Sequence, residues 1–235
     1  MRDCAIWTPK GVHLLIDPDK WKENELENIF SQVPNCVSSL IVGGTFIHTD
    51  RFAAAMRTCL KTGLPTGNVL SAGYLDSILS PEASHLLIPV TLGSHNSRFI
   101  TDHIIRAAPT ISHYGLNCTS YAYLMIDGGI PTSTEYFTQM IPIPKGKPEI
   151  LQTMALTAKY LGLDGIYLEA GSGARAPVSP AEVYKVASVS DLPILVGGGI
   201  RNADLCTELF DAGAVGVVIG TAMEESRNLD WLEKI

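Results

Sequence analysis

Short apolar runs alternate with amphipathic stretches along almost the whole chain. Eight runs read as strands: residues 12–17 (VHLLID), 38–43 (SSLIVG), 65–70 (PTGNVL), 85–91 (HLLIPVT), 122–126 (AYLMI), 165–169 (GIYLE), 193–196 (PILV) and 215–219 (VGVVI). None alternates strictly between apolar and polar positions, which is the pattern of strands buried on both faces of a parallel sheet. Helical patterns fall between them, over 23–32, 50–61, 102–107, 149–161, 180–188 and 203–212. Ser179 ahead of Pro180 reads as an N-cap followed by a proline at the first helical position. Asp50 and Asn202 can cap their helices, and Gly213 can end the one that Asn202 starts. The predicted fold class is α/β: one domain over 1–235, in which eight βα units of about 29 residues close into a (β/α)8 barrel of the TIM type. Glycines at several strand ends, rather than one GxGxxG after the first strand, favour the barrel over an open doubly wound sheet.

Two segments break the rhythm. Residues 71–84 (SAGYLDSILSPEAS) are too few for a full helix with two loops, so the third helical element is expected to be shortened or modified. Residues 127–148 (DGGIPTSTEYFTQMIPIPKGKP) read as a long loop rich in Pro and Thr, a candidate lid.

Composition changes the picture in a few respects. With 46% hydrophobic and 17% charged residues in 235, the chain is not disordered. A net charge of −7 argues against nucleic acid as a partner and leaves room for a small anion held by a local site. The five cysteines (Cys4, Cys36, Cys59, Cys118, Cys206) form no CxxC pair, which points to buried thiols and a reducing, cytoplasmic setting. The N-terminus shows no signal-peptide core, and no run of about 18 apolar residues could span a bilayer. The six histidines have no metal-ligand spacing and are read as core or surface groups.

In a βα barrel the chemistry gathers at the C-terminal ends of the strands. Read in order, those ends carry Asp17-Pro18-Asp19-Lys20, Gly43-Gly44-Thr45, Glu169-Ala170-Gly171-Ser172-Gly173, Gly197-Gly198-Gly199-Ile200-Arg201 and Gly220-Thr221. The last three suit a phosphate: glycines let backbone N–H groups approach its oxygens, and Ser172 and Thr221 add hydroxyl donors. Asp17 is a candidate ligand for a hard cation such as Mg²⁺, with Thr45 as a hydroxyl neighbour. Asp19 is read either as a second ligand or as a cap for the helix that follows. Glu169 can accept a hydroxyl proton or position a polyol, or else form a structural pair with a Lys or Arg. Tyr167 faces the same way two residues earlier, to bond the ligand or to fill a barrel layer.

HLLIDPDK, IVGGT, IYLEAGSGA, ILVGGGIR and VVIGT, in that order and spacing, resemble the geranylgeranylglyceryl phosphate synthase family, which includes bacterial heptaprenylglyceryl phosphate synthases. The resemblance runs from about residue 12 to 222, and the pair YLEAGSGA and VGGGIR is its most specific part. It implies a βα barrel with a modified third helical element. It also implies a Mg²⁺-dependent transfer of a prenyl group from its diphosphate to the C3 hydroxyl of sn-glycerol 1-phosphate, the first ether bond of archaeal-type membrane lipids. The family's metal positions fall on Asp17 and Thr45. Its glycerol-phosphate positions fall on Tyr167, Leu168, Glu169, Ala170, Gly171, Ser172 and Gly173, on Gly198 and Gly199, and on Gly220 and Thr221, with Glu169 at the glycerol hydroxyls. The GT of the eighth strand, IDGG and the PIPKGK segment lean towards the archaeal-type branch and a geranylgeranyl donor. Tyr123 matches the family's tyrosine, whereas Asp102 and a bulky Tyr121 depart from its pattern, and both are expected near the prenyl side.

Leu92 and Ile130 are expected to line the prenyl groove. Peripheral contact with a membrane and a homo-oligomer are further expectations. Other readings are a 3-phosphoglycerate acceptor or another prenyl length, a phosphate-binding isomerase or aldolase, and a non-catalytic phosphate sensor. Glu169 weighs against a carboxylate-bearing acceptor, no strand end offers a Schiff-base lysine, and intact Asp17 and Glu169 weigh against a sensor.

Overall fold

Eight parallel strands close on themselves in chain order: β1 (Gly11–Ile16), β2 (Val37–Val42), β3 (Thr66–Val69), β4 (His85–Thr91), β5 (Cys118–Met125), β6 (Gly165–Glu169), β7 (Ile194–Gly197) and β8 (Gly216–Ile219). The ring is completed by β1 on β8, in register from Gly11 opposite Gly216 to Leu14 opposite Ile219. This is the predicted (β/α)8 barrel. The computed structural model describes residues 10–45, 47, 49–70 and 79–235. The expected modification of the third helical element falls mostly on 71–78, outside the described residues, as do Cys4 and His48.

The helices are α1 (Glu23–Phe30), α2 (Thr49–Leu60), α3 (Asp102–Tyr114), α4 (Ser133–Thr138), α5 (Pro148–Tyr160), α6 (Pro180–Ala187), α7 (Ala203–Asp211) and α8 (Thr221–Ser226). The capping chemistry read from sequence is in place at α6 and α7. Ser179 accepts the Glu182 amide, Asn202 accepts the Leu205 amide at 2.8 Å, and Gly213 closes α7 with φ +111°. Asp50, expected as a cap, instead lies inside the first turn of α2.

Three further differences have local causes. Strand β5 starts at Cys118, four residues earlier than predicted, although CTSY is partly polar. The Ser120 amide and hydroxyl donate to Asp164 at 2.7 and 2.8 Å, which ties these residues into the barrel wall. Helix α3 continues seven residues past Ala107, through Pro109. The N–H that proline lacks would have met the Ile105 carbonyl, and Ile105 is 68% exposed, so water can serve that group. The supposed lid contains a helix, α4, capped by Thr132, whose hydroxyl accepts the Glu135 amide at 3.1 Å.

Alternation along the strands separates two apolar sets. One side, including Leu14, Leu40, Leu124, Leu168 and Val217, packs beneath the helices in the main core. The other fills the barrel: Ile41, Leu87, Tyr121, Leu195 and Val218, with Leu15, Val69 and Tyr167 against them. At the lower end, His13, His85 and Tyr121 are accommodated by glycines on neighbouring strands. A Cβ at Gly216, Gly67 or Gly165 would run into the His13, His85 or Tyr121 ring respectively. Cys59 and Cys206 are buried, as read from sequence, and burial pushes both thiols up to about 12, whereas Cys36 and Cys118, also expected to be buried, are only half-buried. Among the described residues no helix is long and apolar enough to cross a membrane.

The barrel floor carries a pH liability. His13 Nδ1 and Ser39 Oγ share a hydrogen bond at 2.9 Å, as do His85 Nδ1 and Ser84 Oγ at 2.7 Å. Burial, and then the nearness of His13, lower His85 from 6.5 to about 4. The unfolded chain therefore binds a proton at His85 before the folded one does. The associated stability is complete above pH 6.5 and is lost as the pH falls towards 4. Across that window the loss from this residue should approach ~3 kcal/mol, read from denaturation midpoints. His85→Gln should flatten the fall; a pH dependence equal to that of the unsubstituted protein would exclude His85 as its source.

Candidate active site

The C-terminal strand ends enclose a pocket of about 250 Å³ lined by residues from all eight units except the portion outside the described residues. Its upper wall is polar and its lower wall apolar: Asp17, Thr45, Glu169, Ser172 and Thr221 lie above Leu15, Ile41, Val69, Leu87 and Tyr121.

Glu169 ends β6 and is only 7% exposed. Its Oε1 accepts the Gly171 amide at 2.7 Å, and the Tyr167 hydroxyl bonds the same carboxyl group. Burial raises its pKa above the ordinary carboxylate value, and these two hydrogen bonds oppose the rise. Its partners are thus an amide and a phenol, not the Lys or Arg of a structural ion pair. The carboxylate fits because β7 ends in glycines. A Cβ at Gly197 would lie 2.6 Å from Glu169 Oε2 and would overlap the Tyr167 hydroxyl; at Gly198 it would lie 2.5 Å from Oε1.

The phosphate-type loops come together as the sequence implied. Ser172 Oγ and Thr221 Oγ1 meet at 2.9 Å, joining the loop after β6 to the start of α8. Gly171, Gly173, Gly198 and Gly199 have φ of +99°, +73°, +85° and +72°. Glycines in this conformation let main-chain N–H groups come close to an anion without a cationic side chain. Gly220 leads into α8, whose first amides have no acceptor within the helix.

Not every residue taken from the motif faces this pocket. Leu168 and Ala170 point the other way, into the core beneath the helices. Gly171 contributes its amide to Glu169, and Gly173 sits beside the Thr221 methyl group. Tyr167, Glu169, Ser172, Gly198, Gly199, Gly220 and Thr221 line the pocket directly.

Across the barrel mouth, Asp17 caps the short 3-10 turn Pro18–Lys20, its Oδ1 accepting the Asp19 amide at 3.0 Å. The helix that follows, α1, has its N-cap instead at Lys22, whose amide donates to Glu25 at 2.9 Å, so the helix cap considered for Asp19 is not made. Burial raises the Asp17 pKa, a cost that a bound cation would offset. Gly44 keeps the space before it open, since a Cβ there would stand 3.2 Å from the carboxylate carbon. The Thr45 hydroxyl pairs with Thr134 at 2.8 Å within the same pocket. One carboxylate and one hydroxyl fit Mg²⁺, which is commonly held by one or two carboxylates together with substrate oxygens and water. No group of three or more His, Cys, Asp or Glu able to hold a metal occurs among the described residues, so the donor set suits a metal arriving with an anionic substrate rather than a closed cage.

Several neighbours were not singled out in sequence. Thr134 and Thr138 reach the pocket from α4, and the Thr132–Glu135 capping pattern was the signal that could have placed that helix. Phe99 and Glu224 also line it. Tyr123 is bonded to Thr134 and packs edge-on against Tyr167, ring centroids 5.3 Å apart. Conversely, Leu92 packs in the core beneath the helices, and Ile130 borders a separate surface hollow with Pro131, Pro142 and Pro144. Neither lines the pocket: Leu92 follows β4 and turns into the core, and after β5 it is Thr134 and Thr138 of α4 that reach the pocket. Asp102 starts α3 in an exposed ion pair with Arg106 at 2.8 Å, away from the pocket lining, whereas Tyr121 forms part of the floor.

Comparison with known proteins gives the family and supports the fold. The PcrB family model matches residues 5–235. Geranylgeranylglyceryl phosphate synthase from Korarchaeum cryptofilum is 39% identical over 217 residues, covering 92% of this chain and 88% of its own; that from Spirosoma linguale is 31% identical over 230 residues, covering 97% and 92%. The crystal structure of (S)-3-O-geranylgeranylglyceryl phosphate synthase from Thermoplasma acidophilum in complex with its substrate sn-glycerol-1-phosphate superposes with a TM-score of 0.87 at 27% identity, covering 96% of this chain and 91% of that one. The chain belongs to the PcrB family, and within it is a prenyltransferase of the geranylgeranylglyceryl phosphate synthase kind.

Proposed function

We propose that the chain transfers a geranylgeranyl group from its diphosphate to the C3 hydroxyl of sn-glycerol 1-phosphate. The observation that carries this reading is the buried Glu169 carboxylate, held by the Gly171 amide, packed against Gly197 and Gly198 and facing the same pocket as Asp17. The Thermoplasma acidophilum relative, described with sn-glycerol-1-phosphate, supports the acceptor. The lining contains no Lys or Arg among the described residues, which weighs against a carboxylate-bearing acceptor such as 3-phosphoglycerate and against a Schiff-base aldolase.

In this reading the amides of Gly199 and Thr221, with the Ser172 and Thr221 hydroxyls, hold the acceptor phosphate. Glu169 then receives the glycerol hydroxyls. Its raised pKa makes it a stronger base than an exposed glutamate, suited to take the C3 hydroxyl proton as that oxygen attacks. The new bond joins the C3 oxygen to the prenyl C1; the C1–oxygen bond to diphosphate breaks, and its electron pair leaves with diphosphate. Asp17 and Thr45 would hold Mg²⁺, which when bound supplies charge stabilisation to the departing diphosphate. The apolar lower wall excludes water from the reacting carbon, which would otherwise be hydrolysed.

The donor partitions into membranes, so peripheral contact belongs to this reading. Tyr136 and Phe137, 77% and 41% exposed, lie on α4 next to the pocket residues Thr134 and Thr138 and offer aromatic surface for it. Ile150, Tyr160 and Tyr184 leave apolar surface on α5 and α6, which supports a homo-oligomer. The buried thiols and the polar, phosphorylated acceptor fit a cytoplasmic enzyme.

The decisive test is transfer of label from sn-glycerol 1-phosphate to prenyl diphosphates of several lengths, with and without Mg²⁺. A Mg²⁺-dependent ether product, formed best with the geranylgeranyl donor, is expected; no product with any donor would refute the reading. Asp17→Ala should lower kcat by ~100-fold or more while acceptor affinity holds. Ser172→Ala should do the reverse, weakening acceptor binding by about 1–3 kcal/mol by calorimetry. Equal loss of acceptor affinity in both variants would place Asp17 in the acceptor site instead.

A further inference from the structure

The DPDK segment contributes Asp17 to the pocket, but its lysine has no role in the transfer as described above. The pocket poses an electrostatic problem that this lysine can answer. Asp17, Glu169 and Glu224 all line it, and no Lys or Arg does among the described residues. Two phosphorylated substrates must nevertheless meet there. Backbone amides serve the acceptor's phosphate on the β6–β8 side; on the Asp17 side stand only Gly43 and Gly44, neither of them in the left-handed conformation of the β6 and β7 loops.

Lys20 sits at that edge. Its main chain is fixed: its amide donates to the Asp17 carbonyl at 3.0 Å, Arg227 donates to its carbonyl at 3.4 Å, and Arg51 donates to the adjoining Asp19 carbonyl at 3.0 Å. Its side chain is not fixed to the same degree. It is 53% exposed and pairs with Glu224 at 3.4 Å, long for a charge-assisted hydrogen bond. A single contact of this length made by an exposed lysine is weakly held and readily exchanged. Glu224, 14% exposed on the pocket wall, places the ammonium at the rim, and the charges of both Lys20 and Glu224 are felt at Asp17.

We infer that Lys20 is a diphosphate-binding residue held in reserve by Glu224: on arrival of the donor, its ammonium leaves Glu224 and bonds the diphosphate held on the Asp17 side. A flexible four-carbon stem with a compact charge suits this exchange. The anchored backbone keeps the reach of the ammonium short, so that little order has to be created on binding. The departing diphosphate then gains a cationic partner supplied by the chain itself, in addition to the metal. The inference rests on the prenyl-transfer reading for the identity of the anion, but not on turnover.

The test is calorimetric titration of the full chain with inorganic diphosphate plus Mg²⁺ and, separately, with sn-glycerol 1-phosphate. Lys20→Met should raise the Kd for Mg²⁺-diphosphate at least tenfold, and Lys20→Arg should stay within about threefold. Acceptor Kd should stay within about twofold in both, which a collapse of the turn would not allow. Glu224→Gln, which leaves Lys20 intact, should keep or tighten diphosphate binding. Unchanged diphosphate affinity in Lys20→Met, a parallel loss of both ligands, or a tenfold weakening in Glu224→Gln would overturn the assignment of Lys20. If the unsubstituted protein bound no Mg²⁺-diphosphate, the prenyl-transfer reading itself would fall, and this assignment with it.

Discussion

The site depends on one buried carboxylate. Placing Glu169 in the barrel wall removes it from water, a cost that must be met by hydrogen bonds at once. The Gly171 amide and the Tyr167 hydroxyl meet it, and both come from the same strand or the turn that follows it. That arrangement requires the next strand to end without side chains, because Gly197 and Gly198 lie where any Cβ would strike Glu169 or Tyr167. The GGG run is therefore a packing requirement of the neighbouring strand before it is an anion site. The same backbone then has the amides and left-handed turns that an oxyanion needs. One constraint thus yields both the carboxylate proposed as base and the backbone proposed as phosphate cradle.

A similar economy governs the barrel interior. Large inward side chains are paired with glycines on adjacent strands, His13 with Gly216, His85 with Gly67 and Tyr121 with Gly165. These pairs close the lower end, so the barrel is a packed core beneath and a pocket above. The pocket's floor is consequently apolar while its rim is polar. That division matches the chemistry of a substrate with a charged head and a hydrocarbon tail. In the proposed reaction an acidic chain would receive anions through main-chain dipoles and a locally placed cation, not through net charge.

Much of this was legible in the sequence, and for identifiable reasons. Strands buried on both faces appear as uninterrupted apolar runs, so β4 (HLLIPVT) and β6 (GIYLE) are read with their observed ends. Caps such as Ser179 and Asn202 act through neighbouring amides and need no tertiary information. What was not legible depends on contacts distant in the chain. The start of β5 relies on Asp164, more than forty residues later. Helix α4 is short and lies in a Pro- and Thr-rich stretch, and its value to the pocket comes only from where the barrel mouth places Thr134 and Thr138. Leu168 and Ala170 belong to the motif but face outwards, since alternation along a strand sends neighbours of Glu169 to the opposite side. Leu92 and Ile130 were placed by hydrophobicity alone, which does not distinguish the wall of a pocket from the core behind it.

The most direct measurement is calorimetric titration of Gly198→Ala with sn-glycerol 1-phosphate, with near-ultraviolet circular dichroism confirming an intact barrel. The added methyl group would press on Glu169 Oε1 and on the amides of Ala170 and Gly171 without touching the metal side of the pocket. Acceptor affinity should fall by at least tenfold, about 1.4 kcal/mol. Binding as tight as that of the unsubstituted protein would contradict the claim that the glycine run and the buried carboxylate form one site.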